Sequence, residues 1–354
     1  MTRVLVLVIA SDSPAHYVEM QKVWVRRVAD RQHADWCIAS GDVRRFTASI
    51  GGEGNVRCTT SVGGEGNVRC VASSVGGGTS LEPGSQKLCS DVWKMRPLGT
   101  HLSKCLCRRD TDVWFVKAKP ERLWVGDIAN DGPFSDIVEF DRDAMTIYVK
   151  GEETYIPGIL NKTIEAIRAI GLEYDFVWRT NLSSVLDFDG LLRYCRGLNS
   201  HLNLSEGGSV ASLKDGPSEG GFMSHPQNGG QLRCVFYAGY TGLADVATNK
   251  DVDSNIRFAS GSGFLLSREA VQYLIENEGL LRRDLIDDVA IGALLEPRFG
   301  IVHLDRCRIK TGEENVASVV SCGVFHFRCE TYCHERTVEF MNKVDLALLS
   351  YKYV

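Results

Sequence analysis

Residues 4–10, VLVLVIA, form an unbroken apolar run. A run of this length without alternation fits a strand buried on both faces, as in a parallel sheet. It is far too short to cross a bilayer. The polar group Ser11-Asp12-Ser13-Pro14 follows at once. Proline fits the first turn of a helix. Met20, Val23, Trp24, Val25 and Val28 then occupy helical spacings, so a helix is expected over residues 17–31. Residues 36–39 read as a second strand. Strand, helix, strand is the opening of an α/β fold.

The 354 residues are 44% apolar, enough to bury the core of one large α/β domain. The net charge of −5 argues against a dedicated nucleic-acid binder and leaves room for a local basic pocket. No membrane span and no cleavable leader can be read. The expected location is the cytoplasm, with a Golgi-type anchor missing from the chain as the alternative. The oligomeric state cannot be read. The 12 cysteines are expected to be free thiols. Cys322, His326, Cys329, Cys333 and His334 are zinc-ligand types at no regular finger spacing. They read as buried thiols beside a histidine with another job, a structural zinc being the alternative. The sequons at Asn161, Asn181 and Asn203 are taken as chance matches.

A glycine-rich stretch interrupts the pattern. SIGGEGNVRCTT (49–60) and SVGGEGNVRCVA (61–72) repeat with a period of 12, and a broken third copy starts at Ser74. Two and a half copies are too few for a stacked solenoid. A flexible, disordered insertion over residues 44–109 is expected, inside a single domain spanning residues 1–354. Beyond it, strands are expected at 113–118, 123–125, 136–140, 145–149, 175–179, 233–237 and 301–304. Helices are expected at 157–170, 188–196, 267–276, 287–295 and 335–348. Ser267 should cap its helix. Residues 205–230 form a long polar loop of the kind that serves as a lid or an acceptor-binding segment.

Four segments carry chemistry. In YDFVWRTNLSS (174–184) a buried strand ends in small polar groups. Ligands sit beyond the carboxyl ends of strands in open α/β sheets. Arg179 suits a phosphate; Asn181, Ser183 and Ser184 suit a ribose or metal-bound water. The plainer reading is a polar loop capping the next helix. In ASGSGFLLS (259–267), Gly261 and Gly263 allow close backbone approach to a ligand, or simply make a turn. In LIDDVAIGA (285–293), Asp287 and Asp288 open a helix. The helix N-terminus should keep Asp288 ionised, a general base for a hydroxyl, unless the pair only caps the helix. In VFHFR (324–328), His326 and Arg328 share one side of a strand. They suit a diphosphate or a metal, or form an ordinary edge-strand pair.

The order of these segments resembles the β-1,3-galactosyltransferase and β-1,3-N-acetylglucosaminyltransferase superfamily, including uncharacterised members from large DNA viruses and algae. The resemblance runs in pieces from Val4 to about Leu348 and skips the insertion. Glu153-Thr154-Tyr155 with Lys162-Thr163 looks like that family's acidic-Ser-Tyr…Lys-Thr helix, with one extra residue. Arg179-Thr180-Asn181-Leu182-Ser183 stands where the family has Lys-Thr-Asp-Asp-Asp. Gly261–Ser267 resembles a Gly-Gly-Gly-Tyr-Val-Leu-Ser turn. Asp287-Asp288-Val289-Ala290-Ile291-Gly292 matches Glu/Asp-Asp-Val-x-x-Gly, the most specific of the four.

The resemblance implies a Rossmann-like GT-A fold, a mixed and mostly parallel sheet with flanking helices. It implies inverting transfer from a nucleotide-sugar donor, UDP- or GDP-linked, to a sugar or glycan acceptor. The nucleotide is expected near Ser11 and Asp12. The diphosphate is expected near Arg179, Asn181, Ser183 and Arg328, beside Gly261, Gly263 and Asp287. Asp288 takes the role of catalytic base. Asn181 and Ser183 replace the outer carboxylates of the metal motif, and neutral oxygens are poor ligands for Mn²⁺ or Mg²⁺. Three outcomes stay open: a metal held by His326, Asp287 or the donor diphosphate; no metal, with arginines stabilising the leaving group; or an inactive protein that only binds nucleotide or sugar.

Overall fold

The computed structural model describes residues 2–40, 56–62, 68–74, 110–123, 137–204, 236–244, 256–310, 324–330 and 334–352. These residues form an α/β structure with a mostly parallel, mixed eight-stranded central sheet and six α-helices. The chain divides into two compact units, residues 1–24 with 109–344, and residues 25–108 with 345–354.

The elements of the first half are β1 (Val4–Ile9), α1 (Ala15–Ser40), β2 (Val56–Val62), β3 (Val68–Ser74), β4 (Thr111–Lys119), β5 (Val138–Asp141), β6 (Thr146–Lys150) and α2 (Gly158–Ile170). The second half adds β7 (Phe176–Asn181), β8 (Ser184–Leu186), α3 (Phe188–Leu204), β9 (Tyr237–Leu243), β10 (Arg257–Ser267), α4 (Arg268–Glu276) and α5 (Asp287–Phe299). It ends with β11 (Val302–His303), β12 (Cys307–Lys310), β13 (His326–Glu330) and α6 (His334–Lys352).

The large sheet has the order β11-β9-β10-β7-β1-β4-β6-β5. As the apolar run predicts, every residue of β1 is buried, between parallel neighbours β4 and β7. From β1 the chain builds outward to β4 and β6, then returns to place β7 on the other side of β1. That reversal is a topological switch point, and open α/β sheets bind ligands at the carboxyl ends of the strands beside it, here β1 and β7. On one side the core joins Leu5 and Leu7 of β1 to Leu160, Ile164 and Ile167 of α2 and to Ala290, Ile291 and Leu295 of α5. Burying side chains of this kind stabilises the fold by about 1.5–3 kcal/mol each. Ser267 caps α4 as expected, its hydroxyl accepting the Ala270 amide at 3.3 Å.

Several local expectations need correction. Residues 36–39 are not a strand; α1 continues through them to Ser40. No glycine or proline interrupts residues 15–40, and the first glycine stands at 41. The glycine pair at 261 and 263 is not a turn but lies inside the eleven-residue β10. Leu123 belongs to a 3₁₀ turn, Glu121–Leu123, and Trp124 and Val125 lie outside the described residues. Of the strand expected over 233–237, residues 233–235 lie outside the described residues, and Tyr237 is the first residue of β9. The loop 205–230 also lies outside the described residues.

In the second unit the two repeat copies each supply one strand. β2 and β3 pair antiparallel, from Val56 opposite Ser74 to Val62 opposite Val68. The rest of the insertion, 44–109, lies outside the described residues apart from these strands. The same unit holds a buried ion pair between Arg27 and Asp345. No helix among the described residues is long and apolar enough to cross a membrane.

The contact of α5 with β10 is tight at Gly292, where an added Cβ would lie 2.4 Å from the Phe258 Cβ. Gly292→Ala should therefore destabilise the protein by about 1–3 kcal/mol through overpacking. Urea unfolding measures this, and an unchanged midpoint would show that the two elements are not so closely packed.

Candidate functional site

Strand β7 is buried almost throughout, yet it carries Arg179 at its centre. A buried guanidinium requires a counter-charge and hydrogen-bond acceptors. Both come from distant segments. Arg179 Nη2 lies 2.5 Å from Asp287 Oδ2, and Nη1 donates to the Gly261 carbonyl. Phe264, opposite Arg179 in the ladder, places its ring 5.7 Å from the guanidinium carbon.

Asp287 and Asp288 open α5, and both are buried. Neither acts as the N-cap; that residue is Ile286, without a side-chain bond. Asp288 Oδ2 accepts the Gly261 amide at 2.6 Å, and Oδ1 accepts the Val289 amide at 3.0 Å. Burial, and then the Asp287 charge, push the Asp288 carboxyl up to about 6, against the Gly261 bond and the Arg179 charge. The helix N-terminus therefore does not hold Asp288 at an ordinary carboxylate value; desolvation is the larger effect.

Gly261 and Gly263 serve opposite faces of the sheet. A Cβ on Gly261 would meet Arg179 at 2.9 Å and Asp288 at 3.0 Å, whereas one on Gly263 would meet Trp178 at 2.5 Å and His326 at 2.7 Å. Two residues apart in a regular strand would share a face. The ladder of β10 with β9 shifts register between Ala259 and Phe264, which turns the segment over.

On the Trp178 side a second, three-stranded sheet runs β12-β13-β8. It brings Arg328 to the turn after β7. Arg328 Nη1 donates to Asn181 Oδ1 at 2.5 Å and also to the Ser183 hydroxyl. The indole nitrogen of Trp24 steadies that turn by donating to the Leu182 carbonyl at 3.0 Å. His326 is buried, 3.3 Å from Ser184 Oγ. Burial first, and then the Arg306 and Arg328 charges, push its imidazole down to about 3, so it is neutral near pH 7.

Arg306, not foreseen from the sequence, reaches the same place. Its Nη1 donates to Ser260 Oγ at 2.9 Å and to the Ser262 hydroxyl, and it lies 4.1 Å over the Tyr240 ring. The segment Ser260-Gly261-Ser262 thus holds Arg306 through its hydroxyls and Asp288 through its central amide. The Ser262 carbonyl accepts from Thr180 at 2.6 Å and Ser184 at 2.9 Å, closing the network onto β7 and β8.

Ser11 and Asp12 lie past the end of β1, at the same end of the sheet. Ser11 Oγ donates to the Ser13 carbonyl at 2.8 Å, and Asp12 pairs with Lys117 at 2.5 Å. Neither shares a hydrogen bond with the arginine–aspartate cluster among the described residues. The Glu153…Lys162 motif has a clear physical task. Lys162 Nζ donates to the Ala10 carbonyl and to Glu153 Oε2, both at 2.7 Å, while Glu153 Oε1 accepts the Ala118 amide. The pair ties the carboxyl ends of β1 and β4 together. Tyr155, between them in sequence, is exposed. Partial burial first, and then the Asp288 and Asp287 charges, push its phenol up.

The resemblance implies Mn²⁺ or Mg²⁺ at the turn after β7. The residues there do not fit such an ion. Asn181 and Ser183 are neutral, and their oxygens already accept from a guanidinium. Of the other candidate ligands, His326 lies in the field of two arginines and Asp287 is engaged by Arg179. Among the described residues no three His, Cys, Asp or Glu side chains converge on a metal-sized site. Cys322 and Cys333 lie outside those residues, while Cys195, Cys307 and Cys329 are free thiols. No protein-family model matches this chain, and no curated protein matches it.

Two predictions follow from the geometry. Arg179→Met strands the Asp287 charge in the core and should cost about 3–5 kcal/mol, and adding Asp287→Leu should recover much of that. Urea unfolding of the single and double variants reads this; equal losses in both would mean the pair is not buried as described. The second concerns protons. The Asp288 carboxyl sits at about 6 in the folded protein, against about 3.9 in an unfolded chain. The folded state therefore binds that proton more tightly, and stability from this group is lost as pH rises from about 4 to about 6. Asp288→Asn removes that loss. Its Tm relative to the wild type should climb over the same interval, and a flat difference would contradict the placement of Asp288.

Proposed function

We propose that this chain is an inverting glycosyltransferase on a GT-A-type fold, moving a sugar from a UDP- or GDP-linked donor to the hydroxyl of a sugar or glycan acceptor. One observation carries the reading. Asp288 is a buried carboxylate at the start of a helix, bonded to Gly261 beside Arg179. Burial and Asp287 push it up to about 6, a value suited to a general base near neutral pH. Three further features support it. The sheet reverses its strand order beside β1, the carboxyl ends of β1 and β7 hold the polar groups, and three of the four motifs of the resemblance, at 179–183, 261–267 and 287–292, meet through hydrogen bonds.

In the proposed step the acceptor oxygen attacks the anomeric carbon from the face opposite the leaving group. A new carbon–oxygen bond forms as the bond to the diphosphate breaks. The acceptor proton passes to Asp288, and the bonding electron pair leaves with the nucleoside diphosphate. Charge growing on that leaving group needs fixed donors, each worth about 2.7–4 kcal/mol in comparable sites. Arg328 and Arg306 are the cations at hand.

A second reading has an observation in its favour. Arg328 engages Asn181 and Ser183 where the family carries metal-binding carboxylates, which also suits a protein that only binds a nucleotide or a sugar. Incubation with a panel of UDP- and GDP-sugars and glycan acceptors, read by mass spectrometry of the products, separates the two. Transfer should occur, with a rate that falls below about pH 6 as Asp288 takes up its proton. Asp288→Asn should cut turnover by about 10²–10⁴-fold while sparing donor binding. A variant with the wild-type rate would overturn the assignment, and binding without transfer would favour the second reading.

A further inference from the structure

We propose that Thr180 and Ser184 are positioning residues for Asp288, acting on it through the backbone of the bulge Ser260-Gly261-Ser262. The ladder of β10 with β9 breaks after Ala259 and resumes at Phe264, and its ladder with β7 starts at Gly263. Residues 260–262 fall between these pairings, so side chains decide their course. Neighbouring residues of a strand point to opposite faces. Arg179 and Thr180 of β7 therefore grip the bulge from its two sides. Arg179 donates to the Gly261 carbonyl, and Thr180 donates to the next carbonyl, that of Ser262, at 2.6 Å. Ser184 of β8 donates to the same oxygen at 2.9 Å. A carbonyl oxygen has two lone pairs, and the two hydroxyls fill them.

The need for this grip comes from Gly261. A Cβ there would meet Arg179 at 2.9 Å and Asp288 at 3.0 Å, so the close contact admits only glycine. Glycine leaves the backbone freest where the site needs it fixed. Three successive peptide groups are then tied from outside: the Gly261 amide to Asp288 at 2.6 Å, the Gly261 carbonyl to Arg179, and the Ser262 carbonyl to the hydroxyls. Thr180, Ser184 and Ser262 are buried, and a buried carbonyl does not readily give up its donors. His326 backs the anchor, with Nε2 3.3 Å from Ser184 Oγ. The anchor on one face of the sheet thus aims the Gly261 amide at the carboxylate on the other. The use of that carboxylate as a base rests on the transferase reading; its alignment by the bulge does not.

NMR of the Gly261 amide in the whole protein tests this. Thr180→Val keeps the branched shape and removes the hydroxyl, whereas Thr180→Ser keeps the hydroxyl. In Thr180→Val the Gly261 proton should move upfield as its bond to Asp288 lengthens. Its hydrogen exchange should quicken by about fivefold to tenfold relative to the other glycine amides. Thr180→Ser should restore both readings. Ser184→Ala should act in the same direction, and it carries the test alone where Thr180→Val does not fold. A Gly261 signal that stays in place in a folded variant, with exchange quickened equally at all glycines, would overturn the proposal, because loss of stability alone produces that pattern. In a transfer assay Thr180→Val should lower kcat by about tenfold with little change in the donor KM. A displaced Gly261 signal in a protein that transfers no sugar would retain the alignment and refute the transferase; transfer at an unaltered kcat with an unmoved signal would do the reverse.

Discussion

The candidate site depends on one ion pair, between Arg179 in the middle of the central sheet and Asp287 at the start of α5. An arginine on a strand buried between β1 and β10 is tolerable only if a carboxylate meets it. That requirement determines where α5 begins and which way it faces. It also demands a residue without a side chain on β10, because the guanidinium and the Asp288 carboxylate fill the space a Cβ at 261 would need. Buried pairs of this kind are often replaceable by apolar residues at no loss of stability. The retention of charge here is better understood through the electric field it gives the pocket than through the strength it lends the core.

The polar groups fall into an acidic half and a basic half, on opposite faces of the central sheet. Asp287 and Asp288 lie on the α5 side; Arg308 and Arg328 lie on the small sheet, with Arg306 just before it. The residues Ser260-Gly261-Ser262 touch both halves, through an amide to one and hydroxyls to the other. A transfer reaction that removes a proton from one oxygen and loads charge onto another needs this polarity. The proposed chemistry therefore uses the two halves for different ends of the same bond exchange.

Much of this was legible in the sequence, for local reasons. The apolar run at 4–10 could only be a doubly buried strand, and Ser267 before a helical pattern is a cap wherever it occurs. The Asp287-Asp288 pair and the polar end of β7 were visible as groups that a core would not accept unpaired. What was missed was non-local. The glycines at 261 and 263 read as a turn because their intrinsic freedom suits one, yet both lie inside β10, whose residues pair with β9 before them and with β7 from Gly263 on. Residues 36–39 are apolar and strand-like by composition, but nothing stops the helix ahead of them. Arg306 lies twenty positions before His326, and only the parallel pairing of β12 with β13 brings the two together. The alternation of Arg306, Arg308 and Lys310 was the available clue.

The shared environment of Arg179, Asp287 and Asp288 has a consequence for charge balance. With both acids ionised, the enclosed trio carries one surplus electron charge that little water is present to screen. Uptake of a single hydrogen ion by Asp288 brings it to neutrality. The cluster therefore relaxes electrostatically when it is protonated, and its fully ionised form is the strained one. Whatever molecule surrenders that hydrogen ion discharges a local imbalance that the fold itself maintains.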